Sequence, residues 1–561
     1  EVRGREAMAP VTNMSVCPQV DSESPELSSE STSAENSSGS GTIKKLELQS
    51  PSPAPLQFTF ADARNWGVVL HFWTNGFVVG GMNAIIVGVM AGYLNISSDI
   101  IQGAGNLANL PYAFAALAGI LSDSRPIFGC RRRPYMALGW LLLAGGFGFG
   151  LCAGLPEPYY CVAPDGSYLY DQPPCNPDAQ KYYLSLVLML ILAACGVVLS
   201  DAAAKGLLVD YAKGEPEERR GRTQTTMWMV NACGQFFATL IAAFGFNGRL
   251  FTGSFDQRDQ LSYREYLSIY TIAAAITSVL CAFCVREVAG SESSFREYAR
   301  SSWTLFESRS FCAVALFYFF KSSFFNVRTN AGMWVMLEWA KCKMMQRQLS
   351  GIFGVLANIA GSWLMRQYFL NVSWRQITIV TVLTSTILDA IPQFFTIFDI
   401  VRNQYFYLGE PIAMYVPAAM SNLVMLMVGN ELADVNNGAL VMGLLSTVTS
   451  IGEPVSVLLS NQIFSFFSPA LTQRDNFLKD SASFRWEVAH SYILSYSIAL
   501  ASLALLPLLP RQKVEAQVRK MEWPHKKSYA VTAAMVLAAG FLYTLAGDIL
   551  VMEPNLSCLH F

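Results

Sequence analysis

Gly119–Tyr135 reads Gly-Ile-Leu-Ser-Asp-Ser-Arg-Pro-Ile-Phe-Gly-Cys-Arg-Arg-Arg-Pro-Tyr, a short polar segment that carries four arginines. It separates two apolar runs, 99–121 and 134–155. Each run is long enough to cross a bilayer, since a membrane helix needs about 20 residues. Basic residues beside membrane helices mark the cytoplasmic side. The segment therefore predicts the orientation of the whole chain.

The order of residues in this segment resembles the loop between helices 2 and 3 of the major facilitator superfamily. The fuller string 121–136 is similar to the signature of the folate–biopterin transporter family, particularly its trypanosomatid members, and the resemblance covers roughly 60–510. The alternative is a generic basic cytoplasmic loop. The resemblance implies a gating motif made of Gly119, Asp123, Arg131, Arg132 and Arg133.

The composition is that of a membrane protein. Of 561 residues, 52% are apolar and 14% are charged, whereas soluble proteins carry about 25% charged residues. A net charge of −2 gives no indication of a nucleic-acid partner. The sequence has no phosphate-binding glycine motif at a strand–helix junction and no zinc-type cysteine or histidine spacing. We therefore expect no cofactor and no metal site.

The apolar runs predict an all-α polytopic protein of the major facilitator type, with two six-helix bundles and an extra C-terminal membrane helix. The predicted helices are 64–94, 99–121, 134–155, 182–210, 223–246, 265–285, 310–338, 346–366, 375–399, 411–433, 436–463, 488–509 and 529–552. The predicted domains are a disordered cytoplasmic tail (1–57), an N-terminal bundle (58–285), a central cytoplasmic linker (286–309), a C-terminal bundle (310–510) and a segment with a basic loop, the extra helix and a short tail (511–561).

The positive charges support one orientation of these helices. Loops on the side of Gly119–Tyr135 carry about twice as many Lys and Arg residues as the opposite loops. This bias predicts a cytoplasmic N-terminus and an outer C-terminus. For 529–552 the alternative to a span is a helix lying on the membrane, but Lys526 and Lys527 before a long apolar run favour a span.

Polar residues inside apolar helices are the candidates for solute binding, because charges at membrane depth usually face a cavity or a partner. The superfamily lines its cavity with helices 1, 4, 7 and 10, and the resemblance selects residues there. The candidates are Asn75 and Asn83 (helix 1), Asp201 and Lys205 (helix 4), Lys321 and Arg328 (helix 7) and Asn422 (helix 10). Asp201 and Lys205 share a helix face, so the alternative is that they only neutralise each other.

Proton coupling, which the resemblance implies, needs a titratable group. The candidates are Asp201, Asp389 and Glu431, and Glu453 is a further carboxylate that can titrate. For Asp389 the alternative is structural hydrogen bonding, because helix 9 usually supports the cavity from outside. The sequence does not choose among these residues.

Cys161 and Cys175 lie in a proline-rich loop on the predicted outer side. At a plasma membrane this side is oxidising, so the two cysteines can form a disulfide there. The alternative, two free thiols, is equally consistent with the sequence. The plasma membrane is the location we expect.

The resemblance implies uptake of folate or pterins such as biopterin, coupled to protons, by a monomeric transporter whose partners are the solute and the bilayer. The alternatives are transport of S-adenosylmethionine, as in some trypanosomatid members, and a transporter-like receptor that moves no solute. A membrane enzyme would need a clustered metal or nucleophile set, and the sequence offers none.

Overall fold

The computed structural model describes residues 58–552, apart from gaps at 97, 164–166, 170–171, 252, 257–258, 288–294, 343 and 435. The tail predicted to be disordered, 1–57, lies outside these residues. Within them the chain is helical, and isolated bridges are the only β pairing. The first nine α-helices are α1 (Trp66–Ile85), α2 (Ser98–Asn109), α3 (Ala115–Ser124), α4 (Arg133–Ala153), α5 (Tyr183–Lys213), α6 (Arg222–Leu240), α7 (Tyr263–Phe283), α8 (Phe295–Glu307) and α9 (Arg309–Phe325).

The remaining helices follow without strands among the described residues. They are α10 (Gly332–Trp334), α11 (Met344–Leu364), α12 (Trp374–Ile397), α13 (Gln404–Leu432), α14 (Gly438–Phe464), α15 (Arg474–Lys479), α16 (Ala482–Ala501), α17 (Lys513–Glu522) and α18 (Lys527–Met552). Two of them, α8 and α17, lie in stretches that the sequence analysis treated as polar loops.

Eleven helices of the described chain are long and apolar enough to cross a membrane. They coincide with eleven of the thirteen predicted spans, including the extra C-terminal one, which covers Lys527–Ala546. The other two predicted spans are the first and the seventh. The first is α1, which continues as a π-helix over Ile86–Tyr93. The chain is thus a multi-pass membrane protein.

The seventh predicted helix, 310–338, is wrong as one continuous helix. α9 ends at Phe325, Asn326 caps it, and helical structure resumes only at α10. The Asn326 side chain donates to the carbonyl oxygen of Ser322 (2.9 Å), which closes the last turn. Arg328 therefore lies in the break and not on the same continuous helix as Lys321.

Neighbouring helices satisfy the backbone groups that this break frees. The Ser460 hydroxyl of α14 accepts from the backbone N–H of Arg328 (3.0 Å). The Ser495 hydroxyl of α16 donates to the carbonyl oxygen of Val327 (2.7 Å). Irregular backbone persists at membrane depth when protein groups replace the missing helix bonds. Polar side chains of α14 and α16 thus hold the Arg328 backbone in place.

Buried apolar side chains form separate clusters along the chain. One cluster draws its members from 68–285. A second lies mainly within 298–516, and a third within 327–492. Residues of α3 and α5 from the first half pack directly on α14 from the second half, where Gly119, Gly206 and Gly443 allow close backbone approach.

Candidate functional site

A cavity of about 510 Å³ lies between α1, α5, α6 and α14, and three predicted residues line it. Within it, Lys205 Nζ is 2.6 Å from Asp201 Oδ2, so these side chains form an ion pair. Asn75 donates to the other Asp201 oxygen (3.3 Å), and Lys205 also donates to the Ser446 hydroxyl of α14 (3.3 Å). The first cavity therefore holds its charges in mutually compensated form.

A second cavity, of about 580 Å³, lies between α9, α12, α13 and α14. The predicted residues Lys321, Arg328 and Asn422 line it. Lys321 donates to the Ser421 hydroxyl, and its ammonium lies 6.0 Å from the Tyr318 ring centroid. Within the described residues neither Lys321 nor Arg328 is ion-paired with a carboxylate. Two cations that form no ion pair among the described residues favour an anionic ligand at membrane depth.

Glu453 of α14 lines both cavities, so it marks where they meet. The sequence identified it as a titratable group but not as a site residue. Glu410 lines the second cavity as well, and the sequence analysis missed it. The reason is a boundary error: the predicted helix begins at 411, whereas α13 begins at Gln404. Pro411, the first residue of the predicted helix, lies inside α13.

The remaining predicted residues lie elsewhere. Asp389 accepts from Gln393 one turn along α12 (3.2 Å) and adjoins Arg328 and Tyr496 at a small space of about 20 Å³. Glu431 lies at the end of α13, away from both cavities. The side chain of Asn83 lies outside the described part of the chain.

The motif end, defined as the end of the helices that carries Gly119–Tyr135, is closed by buried charges. Arg132 Nη1 lies 2.5 Å from Asp123 Oδ1. The second Asp123 oxygen accepts from the backbone N–H of Leu440 (2.8 Å) and from the Tyr298 hydroxyl (3.2 Å). Leu440 is in the first turn of α14, where free N–H groups favour an anion. Asp123 thus joins the first half, the linker helix α8 and the second half.

The other motif residues extend this contact. Arg131 donates to the Asn436 side chain of the second half (3.2 Å). Arg133 instead donates to the carbonyl oxygen of Ala282 within the first half (3.2 Å from Nε). At Gly119 an added Cβ would meet the backbone of α14. Two of the three arginines therefore act at the junction of the halves, and the third holds α4 to α7.

A second pair of contacts joins the halves at the motif end. Arg220, in the α5–α6 loop, lies 3.2 Å from Glu431 Oε2. Gln224 of α6 donates to the Asn430 side chain (2.6 Å). Glu431 is buried and also accepts from Gln517 of α17 (2.8 Å). These contacts give Glu431 a position in the junction and not in a cavity.

Burial raises the pKa of two groups near Asp123, Tyr298 and Glu287. It raises the pKa of the Tyr298 phenol far above its usual value, and the neighbouring Asp123 carboxylate raises it further. Tyr298 therefore keeps its proton and donates a hydrogen bond to Asp123. Burial also raises the pKa of Glu287, against the opposing effect of a hydrogen bond from the backbone N–H of Arg132 (2.6 Å).

The opposite end of the helices also joins the halves. Asn247, beyond α6, donates to the Gln348 side chain of α11 (2.8 Å). At the same end, Cys161 and Cys175 form a disulfide, with Cα atoms 5.1 Å apart. The described residues contain no cluster of three or more His, Cys, Asp or Glu side chains suited to a metal ion.

Comparison with known proteins finds similarity over part of the chain. The BT1 family model matches residues 76–169. The "Folate-biopterin transporter" of Synechocystis sp. is 24% identical over 255 residues, which are 42% of this chain and 42% of the relative. "Probable folate-biopterin transporter 7" of Arabidopsis thaliana is 26% identical over 149 residues, 26% of this chain and 28% of the relative. Each match thus spans less than half of the relative's length.

Solved structures show the fold. The proton:xylose symporter XylE superposes with a TM-score of 0.55 at 12% identity, covering 82% of this chain and 98% of that one. The human organic anion transporter MFSD10 gives a TM-score of 0.50 at 11% identity, covering 77% and 98%. The predicted all-α fold of the major facilitator type is therefore confirmed.

Proposed function

We propose that this chain is a member of the folate–biopterin transporter family, to which it is similar over part of its length, and that it carries folate or an unconjugated pterin across a membrane by alternating access. The observation that carries this proposal is the pair of cavities that meet at Glu453. One holds a carboxylate that accepts hydrogen bonds, and the other holds two cations without ion-pair partners among the described residues. This distribution of charge suits an elongated solute with a donor-rich ring and an anionic tail.

In our proposal the pterin ring occupies the first cavity and the glutamate carboxylates of folate occupy the second. Lys321 and Arg328 bind the carboxylates, since attraction between opposite charges is much stronger in a low-dielectric cavity than in water. Asp201 accepts from the ring amino group. A carboxylate offers about four acceptor positions, so its contacts with Lys205 and Asn75 leave room for the solute.

We assign the junction at the motif end as the cytoplasmic gate. Asp123 and Arg131 link the halves there in the closed arrangement, and Arg132 holds Asp123 in place. Opening requires that the contacts of Asp123 with Leu440 and of Arg131 with Asn436 break. The bodies that move are the proposed bundles 58–285 and 310–510, with 286–309 as their linker. Repeats that rock against each other around a central site are the general mechanism of such transporters.

We propose that protons drive uptake through Glu453. Of the carboxylates considered, Asp201 is paired with Lys205, and Glu431 is paired with Arg220. Asp389 lines neither large cavity. Glu453 alone among these four lines both cavities, so its protonation state acts on a solute in either one.

The proposed location is the plasma membrane, where the protein acts as a monomer. The disulfide Cys161–Cys175 on the predicted outer side supports this assignment, because disulfides persist at cell surfaces. The tail 1–57 is proposed as a cytoplasmic segment.

Uptake assays test the proposed function. Transport-deficient cells that express the chain should accumulate radiolabelled folate, and unlabelled biopterin should compete. If S-adenosylmethionine competes and folate does not, the alternative solute is correct. Binding without uptake of any of the three would indicate a receptor.

A further inference from the structure

The extra helix α18 is fixed to the second half of the protein at its motif end. The backbone N–H of Lys526 donates to the carbonyl oxygen of Glu307 (2.9 Å), and that of Arg309 donates to Pro524 (3.3 Å). The Arg309 guanidinium lies 4.8 Å from the ring centroid of Trp523. The start of α18 is therefore held to the junction of α8 and α9.

Further along, α18 packs one face on the second half and turns another outward. An added Cβ at Gly540 would lie 2.9 Å from Phe319 and 3.3 Å from Ile451. Such close approach holds α18 against α9 and α14. Met535 and Leu542 are 60% and 63% exposed and face the lipid side. This division is the one expected of a helix that packs on the protein with one face and meets the surroundings with the other.

A third face of α18 reaches the first half. The Phe541 ring meets Phe114 edge-on, with centroids 5.6 Å apart. Phe541, Thr544 and Leu545 line the first cavity, together with residues of α1, α2 and α5. The helix therefore fills the seam between α2 and α14 and supplies one wall of the cavity.

Thr544 gives this wall a specific hydrogen-bonding character. Its side chain is buried, and its hydroxyl donates back to the helix, to the carbonyl oxygens of Gly540 (3.1 Å) and Phe541 (2.9 Å). With its hydrogen used in this way, the hydroxyl offers only lone pairs to a ligand. Asp201, in the same cavity, is also an acceptor.

We propose that α18 is part of the solute site: Phe541 and Leu545 contact the face of a planar heterocycle, and Thr544 accepts from one of its N–H groups. This inference rests on the proposed transport of a solute through the first cavity. It assigns the extra helix a role in specificity in addition to anchoring. Because α18 is attached to the second half, the wall it supplies moves with that half.

The test places single cysteines on two faces of α18. We introduce Thr544→Cys, and Leu542→Cys as the matched control, into the full chain. Membrane fragments with both faces accessible are then treated with a charged, membrane-impermeant methanethiosulfonate. Mass spectrometry of the peptide reports modification at the introduced position. We expect Cys at 544 to react and folate or biopterin to slow the reaction, whereas Cys at 542 does not react. Equal, low reactivity at both positions would overturn the proposal.

A second pair of variants separates contact from structure. Thr544→Val removes the acceptor at constant shape, and Thr544→Ser keeps it. A lost hydrogen bond should raise the KM for the transported pterin about threefold to tenfold in the valine variant, with wild-type KM in the serine variant. An unchanged KM in the valine variant, or equal losses in both variants, would show that Thr544 does not bind the solute.

The two proposals fail in distinguishable ways. If the wild-type chain transports neither folate nor biopterin, the proposed function fails, while the reactivity of position 544 still decides whether α18 lines an aqueous cavity. If the wild-type chain transports a pterin that leaves the reaction at 544 unaffected, the proposed function stands and the role of α18 is refuted.

Discussion

Asp123 and Arg132 form an ion pair that is almost wholly removed from solvent, with side-chain exposures of 0% and 1% and an N–O distance of 2.5 Å. Asp210 lies 3.8 Å from the same guanidinium. Removal of one partner of a buried pair costs about 3–5 kcal/mol. Because Asp123 also accepts from the backbone N–H of Leu440 in the second half, a change in this pair affects the contact between the halves.

We predict that Asp123→Asn reaches the membrane in folded form but transports solute at least about tenfold more slowly. The reason is that a loss of about 1.4 kcal/mol in the stability of the closed state lowers the population of that state tenfold. The asparagine keeps an acceptor for Leu440 and loses the charge. The matched control is Asp434→Asn, which removes a 62% exposed carboxylate at the same end. Initial uptake rates per surface-expressed molecule provide the measurement. Equal rates for both variants and the wild type would contradict the gate.

Gly119 provides an independent steric test of the same junction. We predict that Gly119→Ala slows transport and lowers thermal stability, because its methyl group would meet the backbone of Ala439 in α14. Gly145→Ala is the control, since an added Cβ there meets nothing within 4 Å. In that helix alanine should even stabilise slightly. Parallel losses in both variants would show that close packing at 119 has no special role.

We predict that replacing Glu453 removes proton-driven uptake of the solute but leaves solute exchange intact. Glu453→Gln should abolish the rise in uptake at acidic external pH, because the amide cannot titrate. Exchange of external for internal solute should remain, since it needs no net proton movement. Proteoliposomes with and without a pH gradient make the comparison. A retained pH dependence would assign coupling to another carboxylate.

The membrane topology predicts opposite locations for the two ends of the chain. An epitope before Glu1 should react with antibody only in permeabilised cells, and one after Phe561 should react in intact cells. This result follows if 529–552 spans the membrane. Reaction of both epitopes only after permeabilisation would mean that α18 does not cross.

Helix existence was predictable because apolar runs of membrane length are a strong signal. The breaks were not. Nothing in the apolar pattern showed that α9 ends at Phe325, because the freed backbone groups are satisfied by Ser460 and Ser495, more than a hundred residues away. Glycine or proline would have marked such a break, and neither is present in 322–331.

The candidate site was predictable as a set of residues but not as an arrangement. The sequence identified Asp201, Lys205, Lys321 and Arg328 as candidates because they are polar residues inside apolar runs. The spacing of four residues correctly predicted that Asp201 and Lys205 are neighbours on one face of α5. Their division between two cavities depends on how the halves pack. That packing is a long-range property, and no local pattern encodes it.

The most direct test of the proposed solute site is uptake of folate and of biopterin by Arg328→Gln. A charge-assisted hydrogen bond contributes about 1.5–3 kcal/mol, so folate uptake should fall about tenfold or more. Biopterin has no glutamate tail, and its uptake should stay within about twofold of wild type, a free-energy change well below that of one such bond.

Arg474→Gln serves as the matched control, because Arg474 pairs with Glu338 and its side chain is 59% exposed. Both solutes should enter this variant at wild-type rates. Selective loss of folate uptake in Arg328→Gln is the result that the account predicts. Equal loss of folate and biopterin uptake, or loss of neither, would contradict the assignment of the second cavity to the carboxylate end of the solute.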